Sequence, residues 1–333
     1  MNARTAILLP RFIQIEPVGQ CNLHCAMCAI DLRKDLPADG KPAEMSFEDF
    51  CRLLDGFTGA EELHLQGLGE PLLHADFFRM VRYAVERGLF VSTNSNLTLL
   101  TEARAAECVS SGLGALHISV DGASAAVYEN IRHGASFAKV LRNIRRVVDA
   151  KRAAGAASPQ LRIVTVLMRA NLEELEGIVA LAHDHGVESV FVQHLAHDFG
   201  EKDLDPSYIP MRNFYGKQAL AGADAVLIAA AFSSARERAA ALGVNLRLPT
   251  LDQAQTPRTP GCDWPWRGAY TNYRGDAVPC CMVTADRVNL GNMLTEGVEQ
   301  VWNGPAYDRF RHALATDRPP HICSSCSLYR STF

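Results

Sequence analysis

No apolar run in this 333-residue chain approaches the roughly 18 residues that a membrane-spanning helix needs. The apolar stretch in "MNARTAILLP" is too short for a secretory signal. Charge of one sign is missing too. A net charge of −4 and a pI near 6.3 give no electrostatic case for nucleic acid or an anionic membrane as the main partner. The basic stretch "RNIRRVVDAKR" (142–152) lies on a helical pattern and reads as a solvated face. These absences predict a cytoplasmic protein whose thiols stay reduced. Ten cysteines in that setting point to metal binding or catalysis rather than a disulfide framework. One further absence is local. "CNLHCAMC" (21–28) places Cys21, Cys25 and Cys28 within eight residues and has no fourth cysteine.

The composition that remains, 48% hydrophobic and 21% charged, is that of a globular protein with ample core-forming material. The length suits two domains, or one large barrel with an appendage. Candidate strands are "FIQIEP" (12–17), "ELHLQG" (62–67), "LFVST" (89–93), "ALHISV" (115–120), "LRIVTVLM" (161–168) and "SVFVQHL" (189–195). Amphipathic segments near 46–57, 74–87, 101–112, 136–153 and 171–186 separate them, several opening on a capping residue. Strands alternating with helices predict parallel βαβ units, here a partial (β/α)6 barrel over 1–200 rather than a closed eightfold one. Residues 201–260 read as a helical connector, with a helix near 222–242 and a Pro/Thr-rich exit, "LPTLDQAQTPRTPG". Residues 261–333 form a small terminal unit with a hairpin turning at Arg274-Gly275-Asp276 and a helix around 298–315.

The cysteines divide accordingly. Cys51 and Cys108 sit on helical patterns as small hydrophobes. A structural zinc site wants four ligands, and the first group offers three thiols with only His24 beside them, on a loop that would turn it outward. Three thiolates on a 4Fe-4S cubane would leave one iron open for a chelating ligand. Cys262, Cys280, Cys323 and Cys326 could hold either zinc or a fully ligated iron–sulfur cluster.

At its C-x3-C-x2-C spacing after the first strand, the chain resembles the radical S-adenosylmethionine (radical SAM) family. "GLGEPLL" (67–73) looks like that family's Gly-Gly-Glu-Pro motif, and "STNSN" (92–96) like its Thr-Asn-Gly segment. "ISVDG" (118–122) resembles its Ser-x-Asp-Gly stretch, and "NIRHG" (130–134) its Arg-Gly segment. The sequence departs at Met27, where many members carry an aromatic, and at Ser95, where Gly is common. The resemblance implies a SAM-binding cluster on Cys21, Cys25 and Cys28. It also implies SAM contacts from Met27, Gly69, Glu70, Asn94, Ser119, Asp121 and Arg132, with Arg132 as the carboxylate partner. The hairpin, "VWNGPAYDRFR" (301–311) and the closing "CSSC" are similar to the SPASM/twitch extension in its short form. That implies one auxiliary 4Fe-4S cluster on Cys262, Cys280, Cys323 and Cys326.

Cys281 is then spare. It follows a ligand directly, so on a strand it points to the opposite face. In the related sulfatase-maturing dehydrogenases this position holds a catalytic Asp, whereas a thiol is similar to the hydrogen-atom donor of the aminoglycoside epimerase. The expected activity is hydrogen abstraction from a carbohydrate-like natural product, with redox-neutral epimerisation and Cys281 as donor. Dehydrogenation of a secondary alcohol, as in the aminocyclitol dehydrogenase, is the rival, followed by peptide modification. A zinc-binding scaffold is the rival outside enzymes. The expected partners are a small-molecule substrate, for which Gln14, Glu16, Gln193, His194 and Trp266 offer polar groups, and an electron donor such as flavodoxin or ferredoxin.

Overall fold

The computed structural model describes residues 7–220, 224–249 and 261–330. Its spine is a nine-stranded sheet, built mostly of parallel strands in the order β11-β10-β1-β3-β4-β5-β7-β8-β9. The six strands expected from apolar alternation are β1 (Phe12–Ile15), β3 (Glu62–Leu65), β4 (Phe90–Ser95), β5 (Ala115–Ser119), β7 (Gln160–Leu167) and β8 (Ser189–His194). Two short strands, β2 (His24–Cys25) and β6 (Arg132–His133), pair with each other outside the sheet. β9 (Asn245–Arg247), β10 (Gly268–Thr271) and β11 (Ala277–Val278) complete the set.

Each main strand sends one set of residues into the helical layer, where Ile13, Leu63, Val91, Leu116 and Ile163 are fully or almost fully buried. The alternate set faces the lumen and is mainly polar: Gln14, His64, Ser92, Asn94, His117 and Ser119. Helices Phe47–Gly56, Phe77–Glu86, Glu102–Ser110, Phe137–Ala153 and Leu175–Asp184 cover the outer layer. Ser46 and Thr101 cap two of them by accepting hydrogen bonds from the amides of Asp49 and Arg104. A further helix, Ala125–Ile131, was not expected from the sequence, and Ser124 caps it in the same way. This is the partial barrel expected of the N-terminal part, but the sheet continues past six strands on both sides.

On one side, helix Ala225–Leu242 packs on Leu175–Asp184 and leads into β9, which pairs in parallel with β8. The segment read as a connector thus adds another helix–strand unit to the barrel. Its Pro/Thr-rich exit lies at 250–260, outside the described residues. On the other side, β10 pairs in parallel with β1, Phe12 against Gly268 through Ile15 against Thr271. β10 then turns through Asn272–Asp276 into antiparallel β11, with Gly275 at a φ of +86° that only glycine adopts freely. The helix expected over 298–315 is two, Val298–Trp302 and Pro305–Leu314. Pro305 starts the second, because it has no N–H to continue the first.

Candidate active site

The strands β1, β3, β4 and β5 end around one cavity of about 280 Å³. Its wall carries Cys21, Cys25 and Cys28, then Met27, Gly69, Glu70, Asn94, Ser119 and Arg132, and also Cys281. Cys21 and Cys281, 260 positions apart in sequence, therefore share one space.

The cysteine loop is held from several directions. β2 pairs with β6 so that Cys25 lies opposite Arg132, and the amide of Ala26 donates to the carbonyl of Ile131 at 2.8 Å. Arg33, only 2% exposed at its side chain, closes the loop's far end against Glu16 and Asp35, with Nη1 2.9 Å from Glu16 Oε1 and Nε 2.7 Å from Asp35 Oδ1. Asp35 in turn accepts from Asn272 Nδ2 at 3.2 Å, and its carbonyl accepts from the Tyr273 hydroxyl at 2.6 Å. Glu16, expected as a substrate group, is thus a fully buried loop anchor, and its Oε1 also accepts from the amide of Leu68. His24 turns outward to Asp31, 2.9 Å away, and takes no part in the cavity wall.

Donors converge on the sulfurs. The amide of Leu23 and Nδ2 of Asn96 point at Cys21 Sγ, at 3.4 and 3.8 Å, and Arg132 Nη1 points at Cys25 Sγ at 3.8 Å. Without a ligand, burial pushes the Cys21 and Cys28 thiols up, to about 11 and about 12.

The residues expected to contact SAM separate into two kinds. Met27, Asn94 and Ser119 line the cavity with side chains free to face a ligand, except that His117 Nδ1 engages Asn94 Oδ1 at 2.8 Å. Met27 itself is held through its carbonyl, which accepts from the Tyr215 hydroxyl at 3.0 Å. Glu70 spends its carboxylate on the protein, accepting from Ser95 Oγ, the amide of Asn96 and the amide of Leu72. It ties two motif loops together. Gly69 is required by close approach, since a Cβ there would come within 2.1 Å of the Val18 carbonyl oxygen and 2.6 Å of that of Gln20. Asp121 is fully buried behind the wall rather than on it, accepting from the amide of Val166 at 2.7 Å and pairing with Arg132 Nη2 at 2.7 Å. The guanidinium expected to meet a ligand carboxylate therefore already holds Asp121 and Cys25, and its Nε has no hydrogen-bond partner.

The second cysteine group gathers Cys262, Cys280, Cys323 and Cys326, all half-buried around the shared core. Cys323 and Cys326 lie at the C-terminal turn Cys323–Cys326, where the amide of Cys326 donates to the carbonyl of Cys323. Cys281 is exposed, and it lines the cavity of the first group while Cys280 does not.

Residues 15–182 match the radical SAM superfamily, just over half of the chain. The chain belongs to the radical SAM superfamily. Residues 262–327 match the SPASM iron-sulfur cluster-binding domain. Among relatives, the tungsten-containing aldehyde ferredoxin oxidoreductase cofactor-modifying protein of Pyrococcus furiosus is 22% identical, over 96% of this chain and 87% of its own. The PqqA peptide cyclase of Xanthomonas euvesicatoria is 27% identical over 95% and 80%. The mycofactocin maturase MftC of Mycobacterium ulcerans is 27% identical over 93% and 78%. In fold, the chain is similar to Streptococcus suis SuiB bound to its precursor peptide SuiA, with a TM-score of 0.71 and 15% identity over 98% of this chain and 71% of that one.

This radical SAM enzyme thus uses SAM and a 4Fe-4S cluster, with auxiliary iron–sulfur binding in the SPASM domain. The residues present fit those groups. Three thiols share one cavity, with N–H donors aimed at two of the sulfurs, a set that favours thiolate ligation. Among the described residues no three of His, Cys, Asp and Glu converge on one metal ion. A cubane, whose irons present separate corners, needs no such convergence. No helix among the described residues is long and apolar enough to cross a membrane.

Sequence reasoning missed a stretch of the wall. His197, Asp198 and Phe199, just after β8, line the cavity together with Tyr215. The chain direction of β8 toward the barrel mouth was the available signal, since loops at strand C-terminal ends build barrel sites.

Proposed function

We propose that this radical SAM enzyme catalyses a redox-neutral epimerisation of a hydroxylated small molecule, with Cys281 returning a hydrogen atom to the substrate carbon. The supporting observation is that Cys281 and the three cysteines of the barrel loop open on the same cavity. When bound, SAM and its cluster supply a 5′-deoxyadenosyl radical that takes a hydrogen atom from carbon. Cys281 then gives its S–H hydrogen to the carbon radical from another side, forming a C–H bond of opposite configuration and leaving a thiyl radical. One electron from a low-potential protein donor and one proton from solvent restore the thiol. Asn94 and Ser119 orient the bound molecules, while Phe199, Tyr215 and Met27 exclude water around them.

A peptide substrate is the second reading, supported by relatives named for peptide cyclisation and maturation and spanning more than nine-tenths of this chain. The test uses a small-molecule extract in deuterated water, followed by return to ordinary water. Epimerisation predicts a product carrying one deuterium on carbon, lost in Cys281→Ala although 5′-deoxyadenosine still forms. Normal turnover by Cys281→Ala would leave dehydrogenation as the better account. Turnover confined to added peptides would favour the second reading.

A further inference from the structure

In a filled barrel the inward side chains are mostly bulky and branched. Beneath this cavity they are not. His64 on β3 and His117 on β5 bring their rings within 6.0 Å of each other, with Ser92 and Asn94 on the strand between them. The pairs are in register, His64 against Ser92 and His117 against Asn94. Two imidazoles taken out of water cost free energy that an aliphatic pair would not, unless their polar atoms are used.

Their hydrogen bonds fix which nitrogen carries the proton. Gln66 Oε1 can only accept, so His64 bears its hydrogen on Nε2, 3.1 Å away, and its Nδ1 accepts from the Ser92 hydroxyl at 2.8 Å. Asn94 Oδ1 likewise can only accept, so His117 bears its hydrogen on Nδ1, 2.8 Å away. The two neighbouring rings therefore hold opposite tautomers. Burial pulls both down to about 4, helped at His117 by His64 and by Arg162, which lies directly opposite on β7. Each ring is neutral near pH 7 and has one hydrogen, and His117 spends its hydrogen on Asn94.

The amides held by these rings differ in what remains to them. Gln66 Nε2 donates to the Gly67 carbonyl, so both ends of that amide are used within the protein. Asn94 Nδ2 has no protein partner among the described residues, and Asn94 is half-buried on the cavity wall. With Oδ1 taken from below, its side chain offers the cavity donors only. SAM carries a carboxylate and two ribose hydroxyls that can accept.

We propose that His117 is a positioning residue for SAM, whose Nδ1–H holds the Asn94 amide with Nδ2 toward the cavity as a donor to a SAM oxygen. Without that hydrogen bond the amide is free to turn over and present Oδ1, which repels the same oxygen. This rests on the reading of Asn94 as a residue that orients the bound molecules, and it adds the group that orients Asn94.

Two measurements on reconstituted protein test it. Long-range proton–nitrogen correlations of histidine-labelled protein read the tautomer, with the His117 signal identified by its loss in His117→Asn. The expected result is a neutral ring with its hydrogen on Nδ1. A hydrogen on Nε2, or a mixture of the two forms, would overturn the proposal, and this reading needs no disruptive variant. Calorimetric SAM affinity then tests the coupling. Asn94→Ala and His117→Phe should each weaken SAM by about fivefold, the double variant no further than Asn94→Ala alone. His117→Asn returns an N–H close to the place of Nδ1 and should stay within about twofold of wild type. Additive losses in the double variant, or equal losses in His117→Asn and His117→Phe, would reduce His117 to a packing role. Unchanged affinity in Asn94→Ala would remove the reading of Asn94 and the proposal with it. A loss there with none in His117→Phe would remove His117 alone. None of these outcomes depends on the fate of the substrate radical, so epimerisation stands or falls separately.

Discussion

Arg132 Nη1 stands 3.8 Å from Cys25 Sγ, across the two-residue pairing that joins the cysteine loop to the segment after helix Ala125–Ile131. The same guanidinium carries the buried Asp121 on Nη2. One side chain thus neutralises a carboxylate inside the barrel and donates toward the Cys25 sulfur.

Replacing it with a neutral residue strands that carboxylate. Arg132→Met should cost about 3–5 kcal/mol, the usual penalty for breaking a buried pair from one side. Asp121→Asn in the same chain should return part of it. Calorimetry of the apo proteins checks this, and additive losses in the double variant would contradict the pairing.

The anchor at the other end of the loop should show itself in acid. Burial raises the Asp35 carboxyl, but hydrogen bonding to Arg33 and its charge outweigh that and hold it below the ordinary value. A depressed carboxyl contributes stability that is present above its unfolded pKa, about 3.9, and is lost as pH falls through the folded value. The stability gap between wild type and Asp35→Asn should therefore narrow as pH drops below about 4. A gap independent of pH in denaturant titrations would remove the ion pair as its cause.

Gly69→Ala introduces a methyl group against two backbone carbonyls that cannot rotate away. Overpacking of this kind costs about 1–3 kcal/mol, and here it displaces the loop that shares the cavity with Cys21, Cys25 and Cys28. SAM affinity, read by calorimetry on reconstituted protein, should fall by about tenfold or more. Unchanged affinity would mean the loop yields without moving the site.

Cluster content gives the simplest measurement. Anaerobically reconstituted wild type should hold about eight iron atoms, and Cys21→Ala/Cys25→Ala/Cys28→Ala about half of them. The variant should cleave no SAM. Retained cleavage would place the SAM-binding cluster elsewhere.

The barrel strands were legible because apolar and polar residues alternate along them, so "ALHISV" announces both its period and its buried face. β9, three residues long, was not, and although the hairpin that holds β10 was expected, its parallel pairing with β1 was not. They exist because β8 and β1 offer unpaired edges, which is information from distant chain. The grouping of the cysteines could be read from spacing alone. The partners of Glu16, Glu70 and Arg132 could not, because a charged residue at a strand end looks the same whether it meets a ligand or a buried counter-charge. His197 and Asp198 belong to no spacing pattern at all, and only the cavity singles them out.

β10 completes the hydrogen-bonding of β1, and β1 leads straight into the cysteine loop. A chain cut ahead of Gly268 would keep every thiol of that loop but leave the strand beneath it with a raw edge, ready to pair with another molecule. The support beneath the cysteine loop near the N-terminus is thus finished only when the residues of β10 have been made.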